Sequence, residues 1–542
     1  MTALLFALAT VASLFAGWRT VRRTRFFLHV FQLETYKMDR YAHWVRSHSD
    51  VVLRRSHLAG GLLLSGSVGL LNVAPAAWVM AGALGLWPLA FISSKRYRST
   101  REKKPLAFTA RMTRLAVATG VLASLPLLAG VVLGWRVGAP GGFLAFLLGF
   151  LLADLGAPLW VLLAAFCMRP VETAIQNGFK RRARQRLDER PDLTVIGITG
   201  SYGKTSTKFI LAELLRQKYS VLATPSSYNT PMGICLVVNE KLKPEHQVLV
   251  LEMGMRYRGD IEELCAIAPP DLSIVTTVGV AHLETMGSIE NIAREKGDIV
   301  RYMKPGGSAV LNVDNEYVAQ MTERASGPVH RVSVEGASEA DVTAHNIRYD
   351  TEGTHFRVET SDGASADFRT RLLGVHNVLN VLLAVAAGRE LGLRLRQMAH
   401  AVRRVEPVEH RLALRSENGI TIIDDAFNAN PVGARNAVDI LSQMDGGRRV
   451  IVTPGMVELG ERQDNENRAL GQHIARHDVD LAVLIGDAQT AAIQDGLRDA
   501  DMPEDRIRVF DSLFDAQDFL TSYLKPGDVV LYENDLPDQY DG

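Results

Sequence analysis

The chain has 542 residues, 47% hydrophobic and 22% charged, with 60 Lys and Arg balancing 60 Asp and Glu. This composition excludes a disordered or collagen-like chain and a small disulfide scaffold, and the length predicts three or more structural units. The zero net charge hides an asymmetry, since residues 1–190 hold 25 Lys and Arg against 8 Asp and Glu and the remainder carries the matching acidic excess.

Apolar runs at 2–18, 57–73, 77–93, 115–135 and 142–168 each approach the roughly 17–25 residues that a helix needs to cross a bilayer core. They predict about five crossings within 1–168. A turn at 72–75 joins the second and third, and Asp154 and Pro158 interrupt the fifth. Residues 1–18 read as a retained anchor rather than a cleaved signal peptide, because Arg19, Arg22, Arg23 and Arg25 follow the apolar stretch and no basic region precedes it. Basic residues concentrate in 19–56, 95–114 and 180–186, which places the N-terminus outside and the large C-terminal part in the cytoplasm of a multi-pass cell-membrane protein. Residues 169–192 read as a basic juxtamembrane linker. Its Lys180, Arg181, Arg182, Arg184 and Arg186 suit anionic headgroups better than nucleic acid, so membrane lipids are an expected partner and nucleic acid is not. Asp154 fits an ion path or a helix-packing role equally well. The three cysteines, Cys167, Cys235 and Cys265, match no zinc or redox spacing and point to a reducing compartment.

From residue 193 the pattern changes to a short β-branched run at 194–198, a glycine loop and a helical pattern. In this order the amides of Gly200, Ser201, Tyr202, Gly203 and Ser206 face phosphates, Lys204 supplies charge to the outer phosphates, and the Thr205 hydroxyl suits Mg2+. A phosphate loop of standard spacing would place glycine where Ile198 stands, so a chance glycine turn is the competing reading. Glu252 follows the apolar strand 248–251, a suitable place for a Mg2+ ligand or for a plain surface carboxylate. On residue type alone, His282 is a core histidine and Lys296 a solvated helix lysine. Asn229 and Thr230 sit in a Ser- and Pro-containing turn. His376, Asn377 and Asn380 open an Ala- and Leu-rich helix and suit capping.

Eight ordered blocks give this part a resemblance to the Mur ligase family, and within it to the D-alanyl-D-alanine-adding branch. They are 199–205 (TGSYGKT), 228–233 (YNTPMG), 252–254 (EMG), 276–288 (TTVGVAHLETMGS), 292–296 (IAREK), 376–380 (HNVLN), 424–431 (DDAFNANP) and 455–461 (GMVELGE). The resemblance implies an ATP-dependent ligase that activates a carboxylate as an acyl phosphate, with ATP and Mg2+ required. It implies Lys204, Glu252, His282 and Lys296 as catalytic residues, with Thr205, Glu252, His282 and a carbamylated Lys296 at the metal. Asn377, Arg411 and Asp425 would contact the nucleotide, and Asn229, Thr230, Asn428 and Asn430 the substrates. Three positions depart from the family pattern: Glu295 precedes Lys296, His410 stands before Arg411 where glycine is usual, and Phe427 replaces a tyrosine.

The expected fold is therefore a membrane α-helical region followed by two α/β domains, a central ATP-binding domain over 193–405 and a Rossmann-like C-terminal domain over 406–542, with a cleft between them. A strand-rich excursion is expected at 341–373, and C-terminal strands near 420–423, 449–453, 481–485 and 528–532. Nothing in the sequence resembles the UDP-gripping domain of soluble family members, and the helices stand in its place. The function expected is a membrane-anchored peptide ligase of peptidoglycan precursor synthesis. Its partners would be a UDP-linked or lipid-linked muramyl peptide and an amino acid or dipeptide such as D-Ala-D-Ala. A Mur-related poly-amino-acid synthetase and a membrane ATPase or transport protein are the alternatives.

Overall fold

A computed structural model describes residues 2–53, 55–71, 74–92, 106–137, 141–225, 228–407, 412–426, 431–457, 459 and 462–534. The chain divides into two units, Met1–Asn177 and Gly178–Gly542.

The first unit is helical: α1 Thr2–Leu33, α2 Met38–Ser47, α3 Ser49–Val52, α4 Arg55–Leu70, α5 Ala76–Ile92, α6 Ala110–Val137, α7 Gly141–Leu155 and α8 Ala157–Asp188, the last continuing into the second unit. The apolar runs lie in helices, and the fifth is split at Gly156 into α7 and α8, between the Asp154 and Pro158 expected to interrupt it. One difference from the sequence expectation is that residues 169–188, expected as a linker, are the helical continuation of α8. Among the described residues, two helices, Ala110–Leu133 and Ala157–Asp188, are long and apolar enough to cross a membrane, against the five crossings expected, and Ala76–Trp87 and Gly141–Leu155 are shorter apolar helices. Close packing joins α6 to α7, where a Cβ on Gly149 would sit 2.7 Å from the Pro126 carbonyl oxygen, a contact only a residue without a side chain permits.

Buried polar groups tie three helices of this unit together. Arg19 Nε donates to Asp154 Oδ2 at 3.0 Å, and His57 Nε2 lies 2.9 Å from the same oxygen. Arg19 also donates to Ser56 Oγ at 3.0 Å. These bonds join α1, α4 and α7, so Asp154 serves helix packing. The turn at 72–73 and the basic stretch 95–104 lie outside the described residues.

In the second unit, β1 Thr194–Thr199, β2 Val221–Ala223, β3 Val248–Glu252, β4 Leu272–Val275, β5 Ser308–Asn312, β6 Val329–Ser333, β7 Val342–Asp350, β8 Gly353–Thr360 and β9 Ser365–Thr370 form one sheet in the order β2-β3-β1-β4-β5-β6-β7-β8-β9. Pairing is parallel from β2 to β7 and antiparallel across β7, β8 and β9. The central strands are continuous apolar runs buried on both faces, as parallel strands covered by helices must be. β1 lies between β3 and β4, so the loop after it opens at the point where the strand order reverses, the standard ligand crevice of such sheets.

A second sheet holds β10 Ala413–Glu417, β11 Ile420–Asp425, β12 Arg449–Thr453, β13 Leu481–Ile485, β14 Ile507–Phe510 and β15 Val529–Glu533, ordered β10-β11-β15-β12-β13-β14. All its pairs are parallel except β10 with β11. The register sets Asp425 beside Glu533 at the strand ends.

Candidate active site

The glycine loop is held from behind by the segment that follows β4. Ser201 N donates to the Thr277 carbonyl at 2.7 Å, Gly279 N donates to Ser201 Oγ at 2.9 Å, and the Thr276 hydroxyl donates to the Tyr202 carbonyl. Backbone space is fully used. A Cβ on Gly200, at φ 151°, would meet Thr276 Oγ1 at 1.9 Å, and one on Gly203, at φ 80°, would meet Asn380 Oδ1 at 2.5 Å. This is a preformed cradle whose amides open into the helix Lys204–Leu215, suited to an anionic phosphate. Lys204 Nζ donates to the Gly200 carbonyl at 2.8 Å. Tyr202 is exposed, and Ser206 is half-buried on the first helical turn.

Glu252, at the end of β3, is 1% exposed and gathers three partners. Thr205 Oγ1 donates to its Oε2 at 2.8 Å, Lys208 Nζ donates to the same oxygen at 3.1 Å, and Asn229 Nδ2 donates to Oε1 at 3.0 Å. The strand-end placement inferred for Glu252 is thus observed, and Thr205 stands beside it as a metal pair requires. Asn229 orients the carboxylate, while the Thr230 hydroxyl accepts from Gly233 N at 3.3 Å and caps the helix Pro231–Leu236.

Lys208 escaped the sequence reading. It is fully buried, four residues after Lys204 on the same helical face, and that spacing was the one available signal. Asn380, expected to suit capping, instead accepts from Thr207 Oγ1 at 3.1 Å and donates to Asn377 Oδ1 at 3.2 Å. It thereby fastens the helix Val375–Glu390 to the phosphate-loop helix. Asn377 itself is buried and donates to the Leu373 carbonyl at 2.8 Å, an internal use of the side chain that leaves little of it for a base.

Lys296 lies in the helix Ile289–Arg301 and is 1% exposed. Burial and the nearby Lys204 pull its ammonium down to about 7, against a smaller opposing pull from Glu295. Glu295 accepts from the amides of Gly259 and Ile261, both at 2.9 Å, and so is committed to the start of the helix Asp260–Ile267. His282 holds a left-handed backbone at φ 68°, a strained conformation for a side-chain-bearing residue. Desolvation, then Lys296, Lys204 and Arg256, lower its imidazole below the usual value, which favours the neutral ring that a metal needs. The charge of Lys204 acts on both Lys296 and His282, whereas Thr205, Lys208 and Asn229 touch Glu252 directly. Arg411, Asn428, Asn430 and Phe427 lie outside the described residues.

The sequence matches the Mur ligase middle domain over residues 198–388 and the Mur ligase glutamate ligase domain over 410–532. It is 36% identical over 359 residues to the UDP-N-acetylmuramoyl-tripeptide–D-alanyl-D-alanine ligase of Mycobacterium tuberculosis strain H37Rv, covering 62% of this chain and 70% of that protein. The chain belongs to the Mur ligase family. This Mur ligase is also 29% identical over 347 residues to the Bacillus subtilis enzyme of the same name, covering 62% of this chain and 72% of that one. Its structure resembles the MurF ligase of Thermotoga maritima in complex with ADP, at a TM-score of 0.55 and 28% identity, covering 66% of this chain and 80% of that one. As a Mur ligase it is an ATP-dependent ligase.

In this Mur ligase the C-terminal sheet carries one further acidic group that the sequence reading missed. Glu533 is fully buried, accepts from Thr453 Oγ1 at 2.8 Å, and has no partner for Oε1 among the described residues. Burial, with Asp425 alongside, pushes its carboxyl up to about 7 despite the Thr453 bond. The folded state therefore keeps a proton that the unfolded chain releases above its ordinary value of 4.5. Stability is full below that value and falls as pH rises to about 7, by about 3 kcal/mol in all. Glu533→Gln should abolish this slope between pH 5 and pH 8 in thermal melts. A parallel decline in wild type and variant would assign the slope to another group.

Proposed function

We propose that this chain is a membrane-associated ligase that uses Mg2+ and ATP to join a muramyl-peptide carboxylate to the amino group of D-Ala-D-Ala or a similar amine. The observation that carries this reading is Glu252, held by Thr205, Lys208 and Asn229 beside a glycine cradle and Lys204. The buried carboxylate beside a hydroxyl suits a hard divalent cation. Thr205 and Glu252 would hold Mg2+, joined by His282 and by Lys296 as its carbamate. The ion, when bound, neutralises charge on the outer phosphates.

The chain's own groups do the rest. The loop amides and Lys204 hold the triphosphate in line with the acceptor carboxylate and stabilise charge that spreads over the transferred phosphoryl group. A carboxylate oxygen attacks the γ-phosphorus and ADP leaves. The neutral amine then adds to the acyl carbon, phosphate departs, and one proton is released. Asp425, at the end of β11, would hold the nucleotide ribose, and Asn428 and Asn430 would receive the amine.

The membrane part of the reading rests on the first unit. Val121, Leu125, Leu128, Val132, Leu133 and Trp135 of α6 are all at least 50% exposed, a band that lipid would cover and water would not tolerate. Together with the basic surplus of residues 1–190 this supports a multi-pass anchor with the ligase domains in the cytoplasm, presenting the site to a UDP-linked or lipid-linked acceptor.

Hydroxylamine offers a direct test, because it intercepts an acyl phosphate as a stable hydroxamate. The full chain in lipid, given ATP and a muramyl tripeptide without amine, should form hydroxamate in an amount matched by ADP. ATP turnover without hydroxamate would remove the acyl phosphate from the scheme.

A further inference from the structure

Away from the phosphate loop, the C-terminal domain brings two histidines and an aspartate to a point. His473 lies near the end of the helix Gln463–Arg476, His477 caps that helix, and Asp439 comes from the neighbouring helix Pro431–Gln443. The i, i+4 spacing puts both rings on one helical face, where their centroids are 4.1 Å apart. Both Nε2 atoms converge on one oxygen, lying 2.6 Å (His473) and 3.1 Å (His477) from Asp439 Oδ1. The three candidate donor atoms all fall within 4.8 Å of one another.

We propose that Asp439, His473 and His477 form a binding site for a divalent transition metal ion of the Zn2+ class. The orientation of His477 is the deciding feature. Its Nδ1 lies 2.7 Å from the His473 carbonyl oxygen. A carbonyl can only accept, so Nδ1 carries a hydrogen, and Nε2 is the ring nitrogen that faces Asp439 Oδ1. A metal-bound histidine holds its ring in this way, with Nδ1–H on a backbone carbonyl and Nε2, once its proton is displaced, on the ion. Two imidazole nitrogens and one carboxylate select Zn2+ or a similar borderline ion over Mg2+, and leave a fourth position open to water. The three side chains are one-quarter to two-fifths exposed, which gives an ion a path in.

The ion would staple two helices already linked one or two turns away by Arg435 and Glu466, at 3.3 Å. Those helices begin at Pro431 and Gln463, beside the segments 424–431 and 455–461 that carry the family resemblance, so the staple would stiffen the scaffold next to them.

The test uses chelator-stripped full-length protein in lipid, titrated with Zn2+ against a chromophoric chelator. Wild type should bind one more Zn2+ per chain than Asp439→Asn or the His473→Ala/His477→Ala double variant, at an affinity at least tenfold above any site they retain. Zn2+ at about a hundredfold excess over its Kd should raise the wild-type thermal midpoint by about 5 °C and leave the variants unmoved. Co2+ in place of Zn2+ should give the visible absorption of a tetrahedral site in wild type alone. The near-isosteric Asp439→Asn keeps the hydrogen-bonding shape and therefore the fold. Equal Zn2+ stoichiometry and affinity in wild type and folded variants would overturn the proposal and leave a hydrogen-bonded His–Asp cluster only.

Discussion

Lys204→Ala is expected to lower substrate-dependent phosphate release by about 100- to 1,000-fold, the usual cost of removing one preorganised charge from a phosphoryl-transfer site. Its side chain is half-buried and bonds only to loop carbonyls, so the thermal midpoint should stay within a few degrees of wild type. Glu252 calls for a different substitution. It is buried against the fully buried Lys208, and Glu252→Ala would leave that cation uncompensated at a cost of about 3–5 kcal/mol. The pairing of Glu252→Gln with Lys208→Met separates the two effects, because the double variant removes both charges and should melt near wild type while remaining inactive. Lys204→Ala with turnover within threefold of wild type would show that the glycine loop does not hold the reacting phosphates.

Lys296→Ala should be inactive and partly rescued by short carboxylates such as acetate. With its ammonium pulled down to about 7, Lys296 is largely neutral at pH 8, and only the neutral amine adds CO2 to give a carbamate and a proton. The resulting anion would sit beside Lys204 in place of a second cation. Activity should therefore fall as pH drops through about 7, and removal of bicarbonate at pH 8 should mimic the loss. Full activity in bicarbonate-free medium, or an Ala variant that carboxylates leave unchanged, would exclude the carbamate.

The phosphate site was legible because its parts are contiguous: strand, glycine loop and helix follow one another within 194–215, and Glu252 ends an apolar run. Strands 420–425, 449–453, 481–485 and 529–533 were legible for the same reason. β10 and β14 were not, since 413–417 is half exposed and charged and 507–510 alternates only briefly. Lys208 and Glu533 were missed, and Asn380 was read as a capping residue, because their roles arise from partners 44, 80 and 173 residues away in sequence. The break at Gly156 was legible, since Asp154 and Pro158 flank it and interrupt the apolar run. The Asp439–His473–His477 convergence left a single local trace, the i, i+4 histidine pair.

Formation of the amide itself is the most direct measure of the central claim. Full-length protein in lipid, given ATP, Mg2+, a UDP-linked or lipid-linked muramyl tripeptide and D-Ala-D-Ala, should yield one muramyl pentapeptide, one ADP and one phosphate per turnover, read by mass spectrometry and phosphate release. ATP cleavage that proceeds at the same rate without the tripeptide, and with no amide product, would contradict it.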